Sequence, residues 1–123
     1  MSDSTDRVVC IVDDDEAVRD SLSLLLESSG LATRSYESAD AFLQAGAQGM
    51  ACLILDLHMP GTSGLELLRL LRRRGVCQPI VVVSGRRDPL LDAEVQAAGA
   101  TELLSKPFDD EVLLNLVQGA MAG

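Results

Sequence analysis

The chain has 123 residues, 47% of them hydrophobic, with 19 acidic against 10 basic side chains and a net charge of −9. That is the length of about one domain, with apolar content sufficient for a proper core, which excludes a disordered chain. The acidic excess excludes a nucleic-acid-binding surface, which wants a basic patch, and no stretch is long and apolar enough for a transmembrane helix. The opening "MSDSTDR" is polar and acidic, unlike a signal sequence, so a cytoplasmic protein with no membrane partner is expected.

In chain order, "RVVCIV" (7–12) predicts a short β-branched strand that ends at Asp13. "DEAVRDSLSLLLESSG" predicts a helix capped by Asp15, with Val18, Leu22, Leu25 and Leu26 as its inward stripe and Gly30 as its stop. Leu24 falls off that stripe and reads either as a docking residue or as a stray exposed leucine. "ATRSY" is a weak alternating strand, and Ser38 caps the short helix "ADAFLQAG", with Phe42 and Leu43 inward. "ACLILD" (51–56) is an apolar strand ending in Asp56, and a helix follows over "SGLELLRLLRRRG". Its "RRR" (72–74) fits a solvated helix terminus, where cations complement the dipole.

"PIVVVSG" is a fully apolar strand with Pro79 first, and "DPLLDAEVQAAGA" a helix capped by Asp88 and opened by Pro89. "TELLS" and "DDEVLLNLVQGAMAG" are the last strand and helix. The three cysteines show no metal-ligand spacing. Cys10 and Cys52 read as small buried hydrophobes in a reducing compartment. Tyr36, Phe42 and Phe108 are the only aromatic residues, so the core is built from Leu, Val, Ile and Ala.

Strand and helix thus alternate five times, with no repeat and no linker, over a single domain spanning 1–123. Short apolar strands between helices predict the α/β class: a doubly wound parallel sheet with helices on both faces. At this length the natural topology is flavodoxin-like, (βα)5, with strand order 2-1-3-4-5. Ligands of such sheets bind outside the carboxyl ends of the strands. Strand one ends in Asp13-Asp14, strand three in Asp56 and strand four in Ser84, and strand five runs into Lys106-Pro107.

Any one of these residues alone reads as an N-cap or a surface lysine. Together they read as a site. Three carboxylates repel one another and favour a hard cation between them, which suits Mg²⁺. The lysine and hydroxyl opposite suit an anion, most simply a phosphoryl group.

"IVDDDEAVR", "LILDLHMPGTSGLELL", "VVVSG" and "LLSKPFDDEVLL" resemble the motif blocks of the response-regulator receiver domain of two-component signalling, over essentially the whole chain. The loop after Asp56 and the "KPF" most resemble the FixJ-type subgroup. The resemblance implies that Asp56 is the phosphoacceptor and that Asp13 and Asp14 help hold Mg²⁺, for which Mn²⁺ can substitute. It places the backbone carbonyl of His58 on the metal, and Ser84 and Lys106 on the phosphoryl group. It further implies a cis bond before Pro107, in the isomer that aims the lysine.

In this family an aromatic residue three positions before the lysine completes the switch; here it is Leu103, which puts that half of the switch in question. His58 is expected to be exposed and to tune water access. Arg86 either affects phosphoryl lifetime or is merely solvated. A sensor histidine kinase is the implied donor, and the implied activity is self-phosphorylation with slow autodephosphorylation rather than that of an enzyme in its own right. The implied output is a phosphorylation-dependent change of the face formed by the last two helices and strand five, read by a homodimer or by a DNA-binding output domain, fused or separate.

No helix-turn-helix follows the last helix, so a stand-alone receiver and an excised first domain both stand open. Two rival functions also stand: a small haloacid-dehalogenase-like aspartyl phosphatase, and a pseudo-receiver that binds without being phosphorylated. The first puts its nucleophile on strand one and wants an acidic cluster where this chain has "SGRRD". The intact acidic set speaks against the second. A flavin carrier fits worse, for want of a phosphate loop after strand one.

Overall fold

The computed structural model describes residues 8–122, so Arg7, expected to open the first strand, and Gly123 lie outside the described residues. Strands β1 (Val8–Val12), β2 (Ala32–Tyr36), β3 (Met50–Asp56), β4 (Ile80–Ser84) and β5 (Glu102–Ser105) alternate with helices α1 (Glu16–Ser28), α2 (Ala39–Ala45), α3 (Gly64–Arg73), α4 (Pro89–Ala97) and α5 (Asp110–Ala122). The strands form one parallel sheet in the order β2-β1-β3-β4-β5, the flavodoxin-like arrangement expected from the sequence.

The two-residue period of a strand divides the core. Cys10, Val12, Leu53, Leu55, Ile80 and Val82 face one side, where they meet Phe42 of α2, Leu67, Leu68 and Leu71 of α3, and Val95 of α4. Val9, Ile11, Cys52, Ile54, Val81 and Val83 face the other, against Leu22 and Leu26 of α1 and Leu113 and Val117 of α5. Each fully buried aliphatic side chain contributes about 1.5–3 kcal/mol. Phe42 meets Tyr36 edge-on at 5.4 Å between ring centroids, and these two rings close the β2 edge.

The helix starts follow local chemistry. Asp15 accepts from the backbone N–H of Ala17 and Ser38 from that of Ala41. Asp88 accepts from Leu90 and Leu91, with Pro89 in the first turn. Ser63 and Glu66 form a reciprocal capping box at the start of α3. β3 begins at Met50, one residue earlier than expected, and a register irregularity between Val8 and Val9 accommodates it.

The arginine run is not simply a solvated terminus. Arg73 and Arg74 are exposed, but Arg72 donates from Nε and Nη2 to the carbonyl of Gly99 and from Nη1 to those of Val76 and Gln78. It ties the end of α3 to the entries of β4 and β5. A second close fit lies at the start of α3, where a Cβ on Gly64 would fall on the carbonyl oxygen of Asp56 and within 2.7 Å of Leu57 Cα.

Candidate functional site

β1 and β3 are central strands, so the residues at their carboxyl ends stay largely out of water. Asp13 is 3% exposed and Asp56 is 4%, whereas Asp14, one residue further along, is exposed. The three carboxylates each offer an oxygen within 4.8 Å of the others. Asp13 is held by local bonds: its Oδ1 accepts from Asp15 N–H at 2.9 Å, and its carbonyl accepts from Arg19 Nη1 at 2.8 Å. Asp56 Oδ1 accepts from His58 N–H at 3.4 Å.

Lys106 reaches across from the end of β5. Its Nζ lies 3.2 Å from Asp13 Oδ2 and 3.4 Å from Asp56 Oδ1, bridging the two buried acids. Its backbone N–H donates to Ser84 O at 2.8 Å, and the Lys106–Pro107 peptide is cis. Desolvation raises the Asp56 pKa, as does the Asp13 charge, while Lys106 and the His58 N–H pull it down less. Burial lowers the Lys106 pKa, but the carboxylates of Asp56 and Asp13 together leave it above its ordinary value. Two carboxylates thus face one ammonium, which leaves the pair with one negative charge in excess.

These groups surround an open hollow of about 300 Å³, with Asp13 and Asp56 at its base and Asp14, His58, Arg86 and Lys106 around it. Ser84 is fully buried, and its Oγ bonds to the carbonyl and the N–H of Arg86. His58 departs from expectation. It is half-buried rather than exposed, because its Nε2 lies 3.2 Å from Ser84 Oγ. That contact spans 26 positions, so no local pattern announces it.

Leu103 pairs with Val82 across β4 and β5 and packs, half-buried, on the core around α3 and α4. The Arg86 backbone serves Ser84 while the residue itself is exposed. Arg87 reads in the sequence, beside Arg86, as a solvated arginine, yet it ties Asp92 of α4 to Ser105 of β5 at 2.8 Å each. Cys10 and Cys52 are buried, and burial together with the Cys10 neighbour pushes the Cys52 thiol up to about 12, which makes it inert.

Buried acids, with a lysine and a hydroxyl beside them at the strand ends of this fold, make an acidic pocket typical of phosphoacceptor sites. Residues 9–118 match the response regulator receiver domain, and the chain belongs to that family: it is the receiver domain of a two-component response regulator. Over 114 residues it is 46% identical to the transcriptional regulatory protein FixJ of Azorhizobium caulinodans, covering 92% of this chain and 54% of that protein. Over 122 residues it is 39% identical to the response regulator protein TodT of Pseudomonas putida strain F1, covering 98% and 53%. The chain spans about half the length of these curated relatives.

Among solved structures, FixJ-N superposes with a TM-score of 0.85 at 39% identity, covering 99% of this chain and 96% of that one. The chemotaxis protein CheY4 of Vibrio cholerae gives 0.85 at 29% identity, covering 93% and 98%. Membership of the receiver family displaces the haloacid-dehalogenase and flavin readings. Among the described residues no helix is long and apolar enough to cross a membrane.

Proposed function

We propose that Asp56 accepts a phosphoryl group from a phosphohistidine of a sensor histidine kinase, and later loses it to water. The observation that carries this is the Asp56 carboxylate itself, 4% exposed at a strand end, with Lys106 Nζ 3.4 Å away and two further acids around it. In the transfer, the P–N bond of the donor breaks as a bond forms between phosphorus and an Asp56 carboxylate oxygen, and the imidazole leaves. In the return step a water oxygen attacks phosphorus, the P–O bond to Asp56 breaks and inorganic phosphate departs.

The residues supply position and charge, which is most of what phosphoryl transfer asks of a protein. β3 holds Asp56 still, and Lys106 faces the oxygens on which charge gathers. Ser84 is the hydroxyl available to a phosphoryl oxygen once it turns from Arg86. The donor set fits Mg²⁺, with Mn²⁺ as substitute: three carboxylates on hard oxygen, short of positive charge, to which the His58 backbone carbonyl adds a neutral ligand. When bound, such an ion neutralises charge on the transferring group and on the acids.

The receiver reads as one unit over 1–123. The output reading is a changed α4-β5-α5 face that recruits a DNA-binding domain, fused or separate, or a second receiver. A cytoplasmic location, where a kinase would reach it, accompanies this reading. Leu103, lacking a hydroxyl, can contribute only by changing rotamer.

Beryllofluoride with millimolar Mg²⁺ tests the reading through amide chemical shifts. Wild type should show shifts around Asp56, Ser84 and Lys106, and Asp56→Asn none. Unchanged wild-type spectra would instead favour a phosphorylation-independent binding module.

A further inference from the structure

Ser84 Oγ has three polar neighbours: Arg86 O at 2.5 Å, Arg86 N at 3.2 Å and His58 Nε2 at 3.2 Å. A hydroxyl offers one proton and two lone pairs. The shortest contact takes the proton, so Ser84 donates to the Arg86 carbonyl. The Arg86 N–H fills one lone pair. The second faces His58 Nε2, which must then carry the ring proton and donate. The hydroxyl is thereby saturated, and with Ser84 at 0% exposure no water competes for any of its positions. None of these bonds points it at Asp56.

His58 is also the residue whose backbone N–H approaches Asp56 Oδ1, at 3.4 Å. One residue thus touches both the reacting carboxylate and the hydroxyl that has to reach it. We propose that the His58 side chain is a positioning residue: together with the Arg86 backbone it holds Ser84 Oγ in its resting place, and its bond, a latch, is one of those that must open before Ser84 can turn from Arg86 to a phosphoryl group on Asp56. The latch rests on the reading of Asp56 as phosphoacceptor and adds to it a resistance located in one side chain. It acts through Ser84 and not through the metal, because the ligand expected from His58 is its backbone carbonyl, which every substitution retains.

The test is a double-mutant cycle read as beryllofluoride affinity at saturating Mg²⁺, with variants His58→Leu, His58→Gln, Ser84→Ala and His58→Leu/Ser84→Ala. Leucine keeps bulk without a donor, and removing one hydrogen bond from the resting state should tighten binding about 2- to 10-fold. Glutamine, whose amide N–H reaches about as far as Nε2, should restore the wild-type affinity. In the Ser84→Ala background His58→Leu should change nothing, since the bond is already gone. Equal tightening in both backgrounds, weaker binding in His58→Leu, or a parallel change in affinity for Mg²⁺ alone would overturn the latch.

A wild type that ignores beryllofluoride sinks the phosphoacceptor reading instead. The resting bond is then still read in the free protein by the ring ¹⁵N spectrum. Nε2 should carry the proton in wild type, and its resonance should move in Ser84→Ala; a bare Nε2 would remove the latch on its own.

Discussion

The two sides of the site are built to different tolerances. On the β1–β3 side, Asp13 and Asp56 are buried ends of central strands, Gly64 sets α3 hard against the Asp56 peptide, and Arg72 pins the far end of α3 to three carbonyls. On the β4–β5 side, residues 85–90 are all exposed, Leu103 is only half-buried, and Leu90 at the start of α4 is 81% exposed. There the carboxylate of Asp92 has one oxygen on Arg87 and the other, Oδ1, buried without a hydrogen-bond partner. The contrast is a division of labour: the side that holds Asp13 and Asp56 is packed against displacement, and the side with loosely satisfied groups has least to lose by rearranging.

The comparison breaks first, if it breaks, at Gly64. Gly64→Ala should destabilise by about 3 kcal/mol or more, since the added carbon meets backbone that cannot turn aside. Urea denaturation measures this, and a cost near zero would mean α3 can slip relative to Asp56.

A smaller effect concerns charge. The folded-state pKa of Asp56 is raised, chiefly by burial and then by Asp13. Such a group is protonated in both states below its unfolded value, and stability is lost as pH rises through its folded value. Asp56→Asn should therefore match wild type at the acid end and become progressively the more stable of the two on going from about pH 4 towards neutrality. Denaturation midpoints at several pH values decide it, and a difference independent of pH would refute the charge argument. Mg²⁺ should narrow the gap by stabilising wild type preferentially.

The smallest effect belongs to the loose side. Arg87→Gln breaks a pair whose side chains are 51% and 19% exposed, and should cost only about 0.5–1 kcal/mol. Amide exchange should quicken in residues 85–92 and stay unchanged at β3. A loss comparable to that of Gly64→Ala would erase the contrast between the two sides.

Much of this was legible in the sequence. The strand order follows from alternation and crossover handedness, and the caps at Asp15, Ser38 and Asp88 are local signals that the structure repeats. The gathering of Asp13, Asp56, Ser84 and Lys106 followed from one rule about strand ends. What was missed depends on contacts distant in sequence. Nothing in "RRR" separates the arginine that finds Gly99, 27 positions away, from the two that find water. The His58 ring was expected in solvent because its partner comes from a different strand. Arg87 looked like any loop cation until Asp92 and Ser105 were brought beside it.

The missing side chain at position 64 bears on how motion can travel. With its first turn seated on the Asp56 peptide and Arg72, near its last residues, tied to the carbonyls of Gly99, Val76 and Gln78, α3 behaves as a splint from the end of β3 to the entries of β4 and β5. A splint stiffens what it is bound to and passes on little relative movement. The freer neighbour of that braced strand end is then the exposed loop 85–90, beyond Ser84. Widening position 64 would loosen the splint before it altered any atom of the Asp56 carboxylate.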